Sequence, residues 1–227
     1  FLVYTDDVCD YDAEIESLGG RIVRVSGNAN WLSRTVSISR TLRAGNWSAV
    51  HSHTNFSSIF PLFAAFLARI PVRVAHAHGT EIETTSFAKK AYQSLAPMLI
   101  RGLATHKVAC GERAAGLLFA AGDRISILPN AIEAPAFMLD RQAAAEEIRA
   151  ELDIQPNTRI LLQIARLDPV KNQLFLVEVA AALKRRGDDF VMLLAGRGEL
   201  EPAIRNAIER AGLQRQVKLL GVRSDVP

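Results

Sequence analysis

Two cations, Arg166 and Lys171, stand five positions apart in the segment Arg166-Leu167-Asp168-Pro169-Val170-Lys171. The segment leaves an apolar run at 160–165 and leads into a helical pattern that begins near Asn172. Open α/β sheets bind ligands at the carboxyl ends of their strands. A helix N-terminus favours anions through its free N–H groups and its dipole. Two fixed cations in such a place suit a diphosphate, and each charge-assisted hydrogen bond contributes roughly 1.5–3 kcal/mol. The alternative is an Arg and a Lys on a solvated loop, and spacing alone does not separate the two.

His51-Ser52-His53 and His76-Ala77-His78 each end a strand-like segment. Alternation puts both histidines of a pair on one face of the strand. Imidazole suits zinc, but no carboxylate or third ligand stands at a helpful spacing, so no metal is expected. Two readings remain. The histidines form a polar sheet rim, or one of them hydrogen-bonds a sugar hydroxyl or a phosphate from a strand's carboxyl end. His78 is the stronger candidate, because Gly79-Thr80-Glu81 must turn sharply after it; His76 is the alternative. Gly196-Arg197-Gly198 opens like a dinucleotide fingerprint, but the third glycine would fall at Glu201 and the motif follows the second strand of its unit. A sharp strand-to-helix turn is one role for these glycines, and close backbone approach to a ligand is the other. There is no G-x-S-x-G elbow and no P-loop. Neither Cys9 nor Cys110 has an evident activating setting.

The elements that must hold these residues alternate between strand and helix patterns. Strands are expected at 21–25, 48–53, 72–78, 106–110 and 125–128, with helices ending near Leu18 and over 31–42, 56–70, 86–103 and 112–121. Pro97 is expected to kink the fourth of these helices, and Gly122 to end the fifth. Two prolines within 129–135 then mark a linker. After a helix over 141–152, strands at 160–165, 190–195 and 217–220 alternate with helices over 172–186 and 200–211. The run Phe190-Val191-Met192-Leu193-Leu194-Ala195 is continuously apolar, as strands buried on both faces are. Residues 200, 204, 208 and 211 form an apolar helical stripe. The expected fold class is α/β, with two Rossmann-like doubly wound parallel-sheet domains. The expected bounds are 1–128, a linker at 129–140, and 141–227.

Composition narrows the function classes. The chain has 227 residues, 49% of them apolar, which allows a substantial core. A net charge of +3 and few aromatics give no nucleic-acid footprint. Two cysteines make neither a disulfide framework nor a structural zinc site, and they fit a reducing compartment. The longest apolar run, 59–68, is about half of what a membrane-spanning helix needs. The chain opens on Phe1 and stops just after a strand-like segment, so a fragment cut at both ends is expected.

Five segments occur in a telling order: His78-Gly79, Ile127-Leu128-Pro129-Asn130-Ala131-Ile132, Ile164–Gln173 with its Arg166 and Lys171, Leu194-Ala195-Gly196-Arg197-Gly198, and Leu219–Pro227. In these the chain resembles retaining glycosyltransferases of the GT-B fold, in the large family 4 group, and especially those that assemble bacterial exopolysaccharide or capsule. The resemblance implies a nucleotide-diphosphate sugar donor, UDP-linked by expectation, bound mainly to the C-terminal domain in a cleft between the two. It also implies a saccharide or lipid-linked acceptor. Arg166 and Lys171 would hold the donor diphosphate and stabilise it as it leaves, without a metal or other cofactor. His78 would contact the transferred sugar. Gly196, Val222 and Arg223 would lie near the donor sugar and nucleobase. The chain departs from the family at Ala131, where Pro-Asn is normally followed by glycine. The family's first glycine-rich loop and its later glutamate pair would lie outside the chain, so the piece alone is expected to be inactive.

The expected activity is therefore glycosyl transfer in bacterial surface polysaccharide synthesis, in the cytoplasm or peripherally on the inner membrane face. Rival readings are a nucleotide-sugar epimerase of the same architecture and a non-catalytic sugar-nucleotide-binding protein. A nicotinamide-dependent enzyme is disfavoured by the failed glycine fingerprint. The basic residues Lys89, Lys90 and Arg101 on helix 86–103 either favour anionic lipid or form a solvated face.

Overall fold

The structure is a computed structural model that describes residues 1–25, 30–79, 86–132, 134–137, 141–223 and 225. The chain divides into two compact units, Phe1–Ala131 and Ile132–Pro227. Strands and helices alternate through both. The first unit runs β1 (Leu2–Val3), α1 (Asp12–Ser17), β2 (Val23–Arg24), α2 (Trp31–Arg43), β3 (Ala49–Ser52), α3 (Ile59–Leu67), β4 (Val72–Ala77), α4 (Phe87–Leu103), β5 (His106–Ala109), α5 (Glu112–Leu118) and β6 (Ser126–Ile127). The second runs α6 (Arg141–Glu151), β7 (Arg159–Ile164), α7 (Gln173–Arg186), β8 (Phe190–Ala195), α8 (Glu201–Arg210) and β9 (Val217–Gly221).

All strand pairs are parallel. The first unit holds a sheet ordered β3-β4-β5-β6 and a separate pair β1-β2; the second holds β7-β8-β9. Parallel strands put all their carboxyl ends on one edge, and the candidate residues of each unit follow those ends. In the second unit, Phe190, Met192 and Leu194 of β8 pack with Val177 and Ala180 of α7 and Ile204 and Ile208 of α8. Burying each of the larger side chains contributes about 1.5–3 kcal/mol. The stripe on α8 thus meets the sheet as its spacing requires, and Gly187 and Gly212 end their helices with positive φ of 79° and 62°.

Several expected bounds shift, each for a local reason. The two-residue strand β1 carries no periodicity and was not foreseen; it exists only by pairing with β2. The helix expected over 56–70 splits into a 3₁₀ turn, Asn55–Ser58, followed by α3. The buried hydroxyls of Ser52 and Ser58 bond each other at 2.9 Å across that turn. Pro61 falls in the first turn of α3, where its missing N–H costs nothing. Helix α5 stops at Leu118, before Gly122. The Asp123 carboxylate takes the Ala120 N–H at 2.8 Å and pairs with Lys107 and Arg101, which pulls the chain out of the helix. These partners, Lys107 foremost, hold the Asp123 carboxyl below its ordinary range. Pro97 sits inside the single helix α4. One face of β7 is open: Leu162 and Ile164, opposite the α7–α8 side, are 58% and 52% exposed. Among the described residues no helix is long and apolar enough to cross a membrane.

Candidate functional site

Strand β7 ends at Ile164, and the chain turns through Arg166 into a 3₁₀ turn, Pro169–Lys171, before α7. Asn172 joins the two helical pieces in the left-handed region, at φ 54°. Asp168 holds this turn together. One carboxylate oxygen accepts the Lys171 N–H at 3.2 Å, and the other pairs with the Arg166 guanidinium at 3.1 Å. Behind them the fully buried Gln173 donates its side-chain amide to the Arg166 carbonyl at 2.8 Å. Gln163 reaches the Lys171 carbonyl at 3.1 Å. The backbone is thus pinned from inside while the cations face solvent: the Arg166 side chain is 83% exposed and Lys171 is exposed. This is the arrangement that a phosphate-gripping turn needs, with fixed main chain and reachable charge. Asp168 and Gln173 were not singled out in the sequence. The Asp-Pro pair, a cap followed by a first-turn proline, was the available signal.

Gly196-Arg197-Gly198 lies beside this turn at the end of β8. Gly196 has φ 135°, and a Cβ there would sit 2.0 Å from the Ala165 carbonyl oxygen. A Cβ on Gly198 would sit 2.3 Å from the Leu167 carbonyl oxygen. The close approach that these glycines permit is therefore to the backbone on either side of Arg166. Leu167 N–H bonds the Arg197 carbonyl at 3.0 Å, and Leu200 N–H bonds the Leu167 carbonyl at 3.1 Å. Gly198→Ala is expected to destabilise the second unit by about 1–3 kcal/mol, the usual cost of forcing an extra carbon into a filled site. A urea midpoint followed by circular dichroism measures this. A midpoint equal to that of the parent chain would show that the loop gives way freely.

Val222, 66% exposed, and Arg223 follow the end of β9 on the same sheet edge. Arg223 is held in a fork between Glu151 at 2.6 Å and Asp225 at 2.7 Å. Hydrogen bonds to these two carboxylates, Asp225 first, strengthen its grip on its proton, and both carboxyls are pushed down in return. Arg223 is thus committed to a local network, whereas Arg166 faces outward.

In the first unit, pairing in the sheet brings His51, His53, His76 and His78 together at the carboxyl edge of β3 and β4. His51 Nε2 lies 3.2 Å from His76 Nδ1, and His53 Nδ1 lies 2.8 Å from His78 Nε2. Burial first, then the neighbouring rings of His78, His53 and His51, lower the His76 pKa to about 4. His51 and His53 are lowered as well, again by burial first. The side-chain oxygen of Asn55, itself at φ 48°, accepts the His78 and Gly79 N–H groups at 3.1 and 3.3 Å and fixes the backbone at the end of β4. Asn55 was not foreseen. The sharp turn expected at Gly79-Thr80-Glu81 involves Thr80 and Glu81, which lie outside the described residues.

These parallel α/β units, with cations and histidines at strand carboxyl ends, have the architecture of GT-B glycosyltransferases. A crystal structure of Anabaena Alr3699/HepE in complex with UDP-glucose superposes with a TM-score of 0.79 at 19% identity, covering 99% of this chain and 62% of that one. Residues 144–227 match the family model described as Glycosyl transferases group 1. It is 39% identical over 234 aligned residues to the Bacillus subtilis (strain 168) protein named "Putative glycosyltransferase EpsF", covering 100% of this chain and 61% of the relative. Over 204 residues it is 26% identical to the Escherichia coli UDP-Gal:alpha-D-GlcNAc-diphosphoundecaprenol alpha-1,3-galactosyltransferase, covering 85% of this chain and 51% of that enzyme. The chain thus spans less than two thirds of the length of either relative.

Proposed function

We propose that the protein carrying this chain transfers a sugar from a nucleotide-diphosphate donor, UDP-linked, to a saccharide or lipid-linked acceptor in bacterial surface polysaccharide synthesis. One observation carries this reading: Arg166 and Lys171 stand exposed on a turn that Asp168 and Gln173 hold rigid at the carboxyl end of a parallel strand. When the bond from the sugar's anomeric carbon to the diphosphate breaks, the leaving oxygen keeps the electron pair. Fixed cations stabilise that charge more in the transition state than before it. With two of them on one turn, the diphosphate needs no metal, and the transfer is proposed as metal-independent and retaining. His78, set by Asn55, is assigned to the transferred sugar; Gly196, Val222 and Arg223 are assigned to the surroundings of the donor sugar and nucleotide.

Two relatives support the donor and acceptor classes: a similar fold is solved with UDP-glucose, and a similar sequence is named for transfer from UDP-Gal to a diphosphoundecaprenol-linked sugar. An acceptor of that kind would be met at the inner membrane face, and the protein is proposed to act there as a peripheral partner. The test incubates the intact protein with labelled UDP-glucose, UDP-galactose and UDP-N-acetylglucosamine, with and without a polyprenyl-diphosphate-linked sugar. The expected result is label on the acceptor and none moved in its absence. Conversion of the free UDP-sugar into its epimer without any acceptor would replace this reading by the epimerase one.

A further inference from the structure

Four of the chain's five histidines form one group, and the sheet makes it. β3 and β4 run parallel with Ser52 beside Ala75. The next residues, His53 and His76, therefore come level, and alternation sets His51 and His78 on the same face. The rings stack closely. Centroids are 4.1 Å apart for His51–His53, 4.0 Å for His76–His78 and 5.0 Å for His53–His76. No third ligand was visible in the linear sequence, because it comes from the neighbouring strand.

One ring nitrogen from each of His51, His53 and His76 lies within 4.8 Å of the other two. A tetrahedral zinc ion with Zn–N bonds of about 2.0–2.1 Å spaces its ligand nitrogens about 3.3–3.4 Å apart. The His51–His76 pair already stands at 3.2 Å. His51 and His53 are exposed, which gives an ion a route in and the His53 ring room to close the triangle. His76 is only 4% exposed, and its Nε2 is buried without a partner among the described residues. The ligand chemistry selects the ion. Three imidazoles without a carboxylate suit zinc, cobalt, nickel or copper, whereas magnesium and calcium want oxygen.

We propose that His51, His53 and His76 bind one first-row transition-metal ion of the zinc class, with a further position open beside His78. The ion is not assigned a part in leaving-group departure, which Arg166 and Lys171 serve from the other unit. Its effect falls on His78. His53 holds the His78 ring at 2.8 Å in the metal-free arrangement, and ligation draws His53 away. Metal loading thereby sets how His78 is placed. That consequence rests on the role given to His78 above, whereas the site itself does not.

The test is a titration of the untagged chain with Co²⁺, followed by displacement with Zn²⁺ against a chromophoric chelator. The expected result is one ion per chain, with the intense visible bands of four-coordinate cobalt that vanish as zinc enters. His51→Ala and His53→Ala change exposed side chains and leave the core intact. Each is expected to weaken zinc binding by more than the roughly 10–100-fold that losing an outer-shell partner costs. His106→Ala, at the amino end of β5, is expected to bind like the parent chain. Absence of the cobalt bands overturns the proposal. So does binding that His106→Ala weakens as much as His51→Ala, or that neither cluster variant changes. None of these readouts depends on glycosyl transfer, so failure here leaves the transfer reading standing, and the reverse holds too.

Discussion

Arg166→Ala is expected to lower turnover of the intact protein by roughly 100- to 1000-fold with donor saturating, the usual cost of removing one group aimed at developing charge. Lys171→Ala is expected to act in the same direction. Folding should barely change. Arg166 is 83% exposed, and its pairing with Asp168 at 3.1 Å is a surface contact, worth about 0–1 kcal/mol. The main chain of the turn is held by other means, namely the Asp168 cap on Lys171 N–H and the buried Gln173 amide. The damage should therefore appear in turnover with the unfolding midpoint unmoved. Arg166→Lys tests geometry against charge. A guanidinium fork grips two phosphate oxygens at once and an ammonium does not, so this variant should recover only part of the loss. Arg186→Ala, another largely solvated arginine paired with an aspartate, at the far end of α7, is the matched control. If Arg166→Ala and Arg186→Ala turn over alike, the turn after β7 does not grip the donor.

How much of this was legible in the sequence depends on the range of the interactions involved. Alternation of strand and helix is local, so the α/β class and most elements could be read directly. The cleanest were β8, with its unbroken apolar run, and α7, ended by Gly187. The turn at Arg166–Lys171 was legible because strand, cation, proline and helix follow one another in the chain. What supports it was not: Gln173 looks like any first-turn residue until its amide is seen bonded to the Arg166 carbonyl. The Gly196–Gly198 loop reads in the sequence as a sharp strand-to-helix turn or as a close approach to a ligand, and only the fold shows that the close neighbour is the backbone of Ala165 and Leu167. The histidines make the strongest case. Each H-x-H pair is visible, but their union depends on β3–β4 register, and a slip of one residue would send one pair to the opposite face. Helix ends failed where a distant side chain intervened, as Asp123 does beyond α5.

Acidification from pH 7 toward pH 4, with a chelator present throughout, is expected to destabilise the first unit well before its carboxylates titrate. The sign follows from where the proton binds. In the unfolded chain His76 titrates at its ordinary 6.5, whereas in the fold burial and the adjacent imidazoles hold it down to about 4. Between those two values the unfolded chain takes up a proton that the folded chain refuses, so stability is complete above about pH 6.5 and declines below it. A displacement of that size corresponds to about 3 kcal/mol at most. His51 and His53 are shifted in the same direction and deepen the loss, although protons on touching rings are coupled and their effects do not simply add. Asp12 and Asp123 also have lowered pKa values, but their contribution disappears only as pH falls through the carboxylate range. Trp31 and Trp47 both lie in the first unit, so tryptophan fluorescence reports its urea midpoint without interference from the second. The midpoint should fall steadily between pH 6.5 and 4.5, and His76→Gln should flatten most of that slope. A parent chain with a constant midpoint across this window would mean that the cluster accepts protons as freely folded as unfolded. The rings would then have to stand apart in solution, at distances that leave each one hydrated.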